Sequence, residues 1–412
     1  MALPASILQK IDRWAGVPIC VGASMLRKMI DAIGTRRAPG KPQKILFVKF
    51  AEQGSTVLAH AALKSATQMV GRGNVYFLVF EENRFILDVL GLIPEENVIA
   101  IRTRSIFGAG FSALDALLKI RELKIDSAVD LEFFSRSSAL LTWLSGAPRR
   151  VGFHTYFGEG PYRGDLMTHR LLYNPYLHTV QIFRQMIEAL ERDGASFPTF
   201  GVVPAPTESE LATFVPKPGE QDKVRKILRA TSGGDVTRLI LLNPNASDLL
   251  PLRKWETDRY IALAKRLLET FPDAHVAMTG APDEAESAAC VAREVGSSRC
   301  ISLAGKTTLR QLMVLYTLSE LLVTNDSGPA HFAAMTPIHV ITLFGPETPS
   351  LFGAPTPRNT AIWLGLACSP CVNAYNNRQS ACRDNQCMKQ ITVEQVFVES
   401  VRVLEMRRAT IG

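Results

Sequence analysis

Residues 321–335, LLVTNDSGPAHFAAM, decide how the rest of the chain is read. The apolar run 321–324 makes a strand that runs into Asn325 and Asp326. A Ser327–Gly328–Pro329 turn then opens a helix carrying His331. Glycine lets a backbone approach a ligand closely, and proline suits a first helical position. The unpaired N–H groups of such a helix start, with the positive end of its dipole, favour an anion above the strand. The stretch therefore reads as a phosphate seat.

Working outward, the same alternation recurs in both directions. After the seat comes a strand over 339–344. Before it, strands are expected over 239–242, 275–279 and 301–303. Helices are expected over 258–271, 283–295 and 308–319, the last with a capping box from Thr308 to Gln311. The first half repeats the pattern, with strands over 45–50, 75–80, 99–101, 128–131 and 149–153. Its helices are expected over 54–70, 84–90, 111–123 and 178–190. Strands alternating with helices predict a parallel sheet covered on both faces. Two such halves predict an α/β chain of two Rossmann-like doubly wound domains facing a central cleft. The expected divisions are an amphipathic helical arm with a basic linker (1–43), an N-terminal domain (44–205) and a Pro-rich linker (206–235). A C-terminal domain (236–390) and a final helix (391–412) complete the chain.

Composition narrows the class. At 412 residues, 47% apolar and 21% charged, this is a globular chain, not a disordered or membrane-spanning one. No stretch approaches the roughly 20 apolar residues of a transmembrane helix. A net charge of +7 suits nucleotides, phosphorylated glycans or anionic lipid. The basic residues are dispersed and aromatics do not interleave with them, so nucleic acid is not an expected partner. Near the N-terminus, Ile7, Leu8, Ile11 and Trp14 share one helical face, as do Leu26, Met29, Ile30 and Ile33. Lys10, Arg13, Arg27 and Lys28 supply the polar side, and TRRAPGKPQK (35–44) follows. Two short helices around a Gly16–Pro18 break are expected. They either lie on an anionic bilayer surface or pack on their own protein.

Four loops of the second half carry the chemistry. NPNASD (243–248) leads to Arg253–Lys254–Trp255, and MTGAPDE spans 278–284. NDSGPAH spans 325–331 and LFGPETP spans 343–349. Each follows the carboxyl end of a strand, so all are expected to line one crevice. With RRVGF (149–153) and the helix at His178, this wording resembles glycosyltransferase family 9, which contains the lipopolysaccharide heptosyltransferases. The resemblance covers nearly all of 44–403 and is strongest over 239–352. It implies the two-domain GT-B architecture and inverting transfer from nucleotide-activated heptose without a metal. It implies that Ser327, Gly328 and Pro329 hold the donor diphosphate, preceded by Asp326, with Arg253 and Lys254 as cations for a phosphate oxygen. Asn243, Gly280 and Gly345 join the donor side. His331 either orients the seat or satisfies a buried polar contact. No Asp-x-Asp pair occurs, so a metal-bridged diphosphate has no obvious ligands.

The first half departs from the family. There the first strand–turn–helix reads Lys-x-Ser-x-x-Gly-Asp, and its Asp is the proposed base. Here the segment is VKFAEQGSTVLAH (48–60), in which Lys49 matches and Ser55 stands at the Asp position. A neutral serine accepts a proton poorly without a neighbouring base. Glu52, three residues earlier, could supply the carboxylate, or the base has been lost. Glu52 and Ser55 are thus the catalytic candidates, with Lys49, Gln53 and Gly54 on the acceptor side.

Of seven cysteines, Cys368, Cys371, Cys382 and Cys387 cluster. Four thiolates at that spacing can hold a structural zinc; disulfides or plain thiols are the alternatives. Catalysis itself is expected to need no cofactor. The expected function is transfer of a sugar from a nucleoside-diphosphate donor, ADP-heptose among the candidates. The acceptor is a lipid-linked or core oligosaccharide of the bacterial envelope. The enzyme is expected in the cytoplasm, peripheral to the inner face of the cytoplasmic membrane. The alternative, prompted by Ser55, is a catalytically inactive sugar-nucleotide-binding or scaffold protein.

Overall fold

The computed structural model describes residues 5–33, 40–156, 158, 160–194, 211–246 and 250–411. Most of the basic linker, most of the Pro-rich stretch before 211, and Asp248 lie outside the described residues.

Six strands form the first sheet: β1 (Ile45–Val48), β2 (Val75–Phe80), β3 (Val98–Ile101), β4 (Ser127–Asp130), β5 (Arg149–Phe153) and β6 (His169–Leu171). Six more form the second: β7 (Arg238–Asn243), β8 (Ala274–Met278), β9 (Cys300–Ser302), β10 (Leu321–Asn325), β11 (His339–Phe344) and β12 (Asn359–Trp363). The orders are β3-β2-β1-β4-β5-β6 and β12-β11-β10-β7-β8-β9, with parallel pairing throughout. Counted from its own first strand, each sheet is wound in the same doubly wound order. Strands such as RLILLN (β7) and HVITLF (β11) are buried along their whole length, as parallel strands covered on both faces must be. The chain divides into two compact units. Unit 1 comprises Met1–Pro206 with Asn373–Gln379, and unit 2 comprises Thr207–Val372 with Ser380–Gly412.

Departures from the expected elements have local causes. The helix expected over 54–70 is two helices, Gln53–Val57 and His60–Val70. The helix expected from 111 begins at Ile106, because Ser105 Oγ accepts from Gly108 N at 3.0 Å and caps a glycine-rich first turn of low intrinsic propensity. The helix Glu220–Ser232 lies within the stretch read as linker; it buries only Val224 and Leu228, too sparse a stripe to recognise. The helix Arg136–Leu144 and the strands β6 and β12 had also not been anticipated.

The arm forms helices Ala5–Trp14 and Gly16–Ile33, so the break falls at Ala15 and not at Gly16–Pro18. Pro18 sits in the first turn, where a missing N–H breaks no helical bond. One side of the arm packs on unit 1. The Asp12 carboxylate accepts from Arg136 N (3.0 Å) and Ser137 N (2.7 Å), capping the helix Arg136–Leu144. Cys20 and Ala23 pack with Ala139, Leu166 and Met167, and Arg27 pairs with Asp165 at 2.7 Å. The other side keeps Trp14, Met25, Met29, Ile30 and Ile33 exposed.

Candidate active site and donor seat

In unit 1 the site grows out of the end of β1. Lys49 is wholly buried, and its Nζ lies 3.9 Å from Glu132 Oε1. That same oxygen accepts from Phe50 N (2.8 Å) and Ala51 N (3.1 Å). Glu132 therefore fixes the chain just ahead of Glu52. Glu52 itself adopts φ 64°, ψ 72°, a left-handed conformation that costs an L-residue about 1–2 kcal/mol. Ser55 Oγ donates to the Glu52 carbonyl (3.0 Å) and lies 3.3 Å from its carboxylate. The two catalytic candidates are thus in contact, with Ser55 as donor and Glu52 as acceptor. Gln53 Nε2 donates to Glu82 O at 3.0 Å, and Gly54 is buried in the short helix.

A partner that the local sequence does not announce completes this corner. Arg378 Nη1 forms an ion pair with Glu52 Oε1. Arg378 lies in Asn373–Gln379, the segment that belongs to unit 1 although unit 2 flanks it in sequence. Asn377 (φ 53°) and Arg378 (φ 55°) are left-handed too. Among the described residues four non-glycines have positive φ; two of them, Glu52 and Arg378, form this ion pair, and a third, Asn377, adjoins Arg378 in sequence. Strain of this kind persists where the surroundings over-determine it, and it clusters at functional sites.

In unit 2 the expected seat is organised by Asn325, the fully buried last residue of β10. Its Oδ1 accepts from Trp255 N (3.1 Å) and Tyr260 Oη (3.1 Å), and its Nδ2 donates to Asn245 O (3.0 Å) and Pro244 O (3.3 Å). One side chain thus pins the loops after β7 and before the helix Thr257–Thr270. Ser327 precedes the helix Gly328–Ala334, with Pro329 in its first turn and His331 buried on it. Ser327 Oγ donates back to Asn325 O (3.1 Å), so its side chain does not cap the helix. Arg253, only 13% exposed in its side chain, pairs with Glu347 and lies 3.6 Å from Asp326 Oδ2. Two largely buried carboxylates therefore surround one guanidinium, and the neighbouring Lys254 is the exposed cation.

Three other residues expected on the donor side have packing roles in the structure. Asn243 Nδ2 donates to Thr279 Oγ1 (3.2 Å), tying the ends of β7 and β8 together. At Gly280 a Cβ would meet Asn245 Nδ2 at 2.7 Å and Glu284 Oε2 at 2.9 Å. At Gly345 it would meet Met388 Sδ at 2.5 Å. Protein side chains occupy the space that both glycines leave. Among the described residues Cys368, Cys371, Cys382 and Cys387 take part in no disulfide. Burial, and next the neighbouring Cys371, raise the Cys387 thiol above its ordinary value. Among the described residues no group of three or more His, Cys, Asp or Glu is arranged to hold a metal ion.

Comparison with known proteins places the chain in a family. The chain is 27% identical over 177 residues to lipooligosaccharide heptosyltransferase 2 of Campylobacter jejuni, covering 41% of this chain. The chain spans about half the length (51%) of that relative. The solved structure of Escherichia coli ADP-heptose lipopolysaccharide heptosyltransferase II superposes with a TM-score of 0.67 at 19% identity, covering 89% of this chain and 100% of that one. E. coli heptosyltransferase WaaC, solved with ADP-2-deoxy-2-fluoro heptose, gives 0.57 at 17% identity over 87% and 99%. These likenesses establish the two-sheet α/β fold. The family model described as glycosyltransferase family 9 (heptosyltransferase) matches residues 118–381, and the chain belongs to that family.

Proposed function

We propose that the protein is an inverting, metal-independent glycosyltransferase that moves a sugar from a nucleoside diphosphate to a lipopolysaccharide-core or related envelope glycan. ADP-heptose is the first donor to test, since family relatives are named for heptose transfer and WaaC was solved with an ADP-heptose analogue. The observation that carries this reading is the Glu52 carboxylate. It is held in a left-handed backbone and hydrogen-bonded by Ser55, at the loop where the resemblance to the family implies the base.

In this mechanism the acceptor hydroxyl oxygen attacks the anomeric carbon as the bond to the diphosphate breaks. Glu52 takes the hydroxyl proton, and the electron pair leaves on the nucleoside diphosphate. The amides of Ser327 and Gly328 stabilise that charge, and Lys254 adds an exposed cation. Arg253 neutralises Asp326 and Glu347, which would otherwise repel the diphosphate. The arm brings the enzyme to the inner face of the cytoplasmic membrane, where the acceptor is presented.

Among the described residues no helix is long and apolar enough to cross a membrane. A second reading, sugar-nucleotide binding without turnover, is favoured by one contact: the Arg378 guanidinium already occupies the Glu52 carboxylate. Nucleoside-diphosphate release with envelope acceptors decides between them. Release is expected with ADP-heptose, unaffected by EDTA. Glu52→Gln is expected to lower kcat about 10²–10⁴-fold while ADP still binds by calorimetry. Undiminished turnover in that variant would remove Glu52 from the mechanism.

A further inference from the structure

The helix Ile106–Glu122 buries only Ala116 and Ile120. Leu117 is half-buried, and five other large apolar side chains face solvent: Ile106 (55% exposed), Phe107 (83%), Phe111 (74%), Leu114 (55%) and Leu118 (56%). Positions 107, 111, 114 and 118 are spaced to lie along one helical face. With the two arm helices, this helix carries most of the exposed large hydrophobic side chains among the described residues. A contiguous apolar stripe of this kind marks an interaction surface.

Topology puts the stripe and the arm on one face of the first sheet. The crossovers β1→β2→β3 run one way across the sheet, and β3→β4→β5 run back the other way. Right-handed crossovers therefore carry the helices Ile106–Glu122 and Arg136–Leu144 to the same face. Arg121 Nε donates to Leu144 O at 2.9 Å and joins them. The arm docks on the second of these helices through Asp12, Cys20 and Ala23.

Charge selects what covers this face. Arg102 and Arg104, with side chains 70% and 78% exposed, precede the helix, and Lys119 and Arg121 close it. The arm adds Lys10, Arg13 and Lys28; its Arg27 is spent on Asp31 and Asp165, and its Asp12 on the Arg136 and Ser137 amides. Asp115, Glu122 and the nearby Glu81 offset this only in part. A basic face repels a second copy of itself but is drawn to anionic headgroups, whose interface accepts aromatic and aliphatic side chains.

We propose that Ile106–Glu122 is a second membrane-docking element, inserting Phe107 and Phe111 into the interface of an anionic bilayer beside the arm. The proposal rests on the membrane reading of the arm for its bilayer, but on a different helix for its contact. The test is flotation of the full chain with phosphatidylglycerol–phosphatidylethanolamine vesicles, compared with phosphatidylcholine vesicles. Binding to the anionic vesicles is expected, and the double variant Phe107→Ser/Phe111→Ser should lower it at least about tenfold with unchanged circular dichroism and melting. Phe107→Trp alone should blue-shift in fluorescence when vesicles are added.

If the double variant floats like the parent while Met29→Ser/Ile30→Ser does not, this inference is overturned and the arm reading survives. If the parent fails to float, both fall. A parent dimer in sedimentation that the double variant abolishes would assign the face to a second copy and overturn the proposal.

Discussion

The two units share one winding but stitch it differently at the point where the winding reverses. In unit 1, Glu132 just past the fourth strand reaches back to the loop after the first, where it accepts from Phe50 and Ala51 and faces Lys49. In unit 2, Asn325 at the end of the corresponding strand donates to Pro244 and Asn245 of the equivalent loop. One stitch is an anion that consumes backbone N–H groups; the other is a neutral amide that consumes carbonyls. Unit 1 therefore uses a charged side chain, balanced by Lys49, for this stitch, while unit 2 uses an uncharged one beside a helix start. In the function proposed above, the same topology serves a proton-accepting corner in one unit and an anion seat in the other.

The largest expected effect comes from unbalancing the charged stitch. Glu132→Gln leaves Lys49 buried without its counterion and should destabilise unit 1 by about 3–5 kcal/mol, seen as faster amide exchange in β1 and β4. The double variant Lys49→Met/Glu132→Gln should recover most of that loss; if it does not, the pair is not what holds the loop.

Acid should loosen unit 2 at one histidine. Burial, reinforced by Arg402, pulls His339 down to about 4 from 6.5, and its Nε2 lies 2.8 Å from Thr360 Oγ1. A depressed value means that its stability contribution is complete above pH 6.5 and is lost as pH falls through 4. Exchange in β11 and β12 should therefore accelerate across that window, by at most about 3 kcal/mol. His339→Gln should flatten the profile.

Making the two stitches alike would test the comparison directly. Asn325→Asp puts a carboxylate beside the seat and should weaken ADP binding about 30-fold by calorimetry, more at low salt than at high. Equal affinity would detach the seat from Asn325. The smallest effect is at Thr308, whose Oγ1 accepts from Gln311 N at 3.2 Å. Thr308→Ala should cost about 1 kcal/mol in urea unfolding and leave unit 1 unchanged.

What was legible in the sequence was local. The run into NDSGPAH gave strand, turn and helix because an apolar stretch, a glycine and a proline each act within a few residues. Glu52 stood out in the sequence as a carboxylate three residues before Ser55, and the structure brings the two side chains together. Pairings across long stretches left no such trace. Arg378 meets Glu52 from 326 positions away, and Glu347 meets Arg253 from 94. Glycine is ambiguous in a different way: at Gly280 and Gly345 the same residue type makes room for protein atoms, where the motif had suggested a ligand. The helix Glu220–Ser232 and the short strands β6 and β12 bury too few apolar positions to declare a period.

The excursion of Asn373–Gln379 into unit 1 has a practical consequence for anyone dissecting this molecule. A gene truncated after Pro206 would encode every strand of the first sheet yet omit the guanidinium that faces Glu52. Its product would carry that acid unclamped, in a strained backbone with one support gone. Recombinant halves are therefore poor proxies for the parent. A faithful excised first unit would need the excursion grafted back as a tether or supplied as a synthetic peptide.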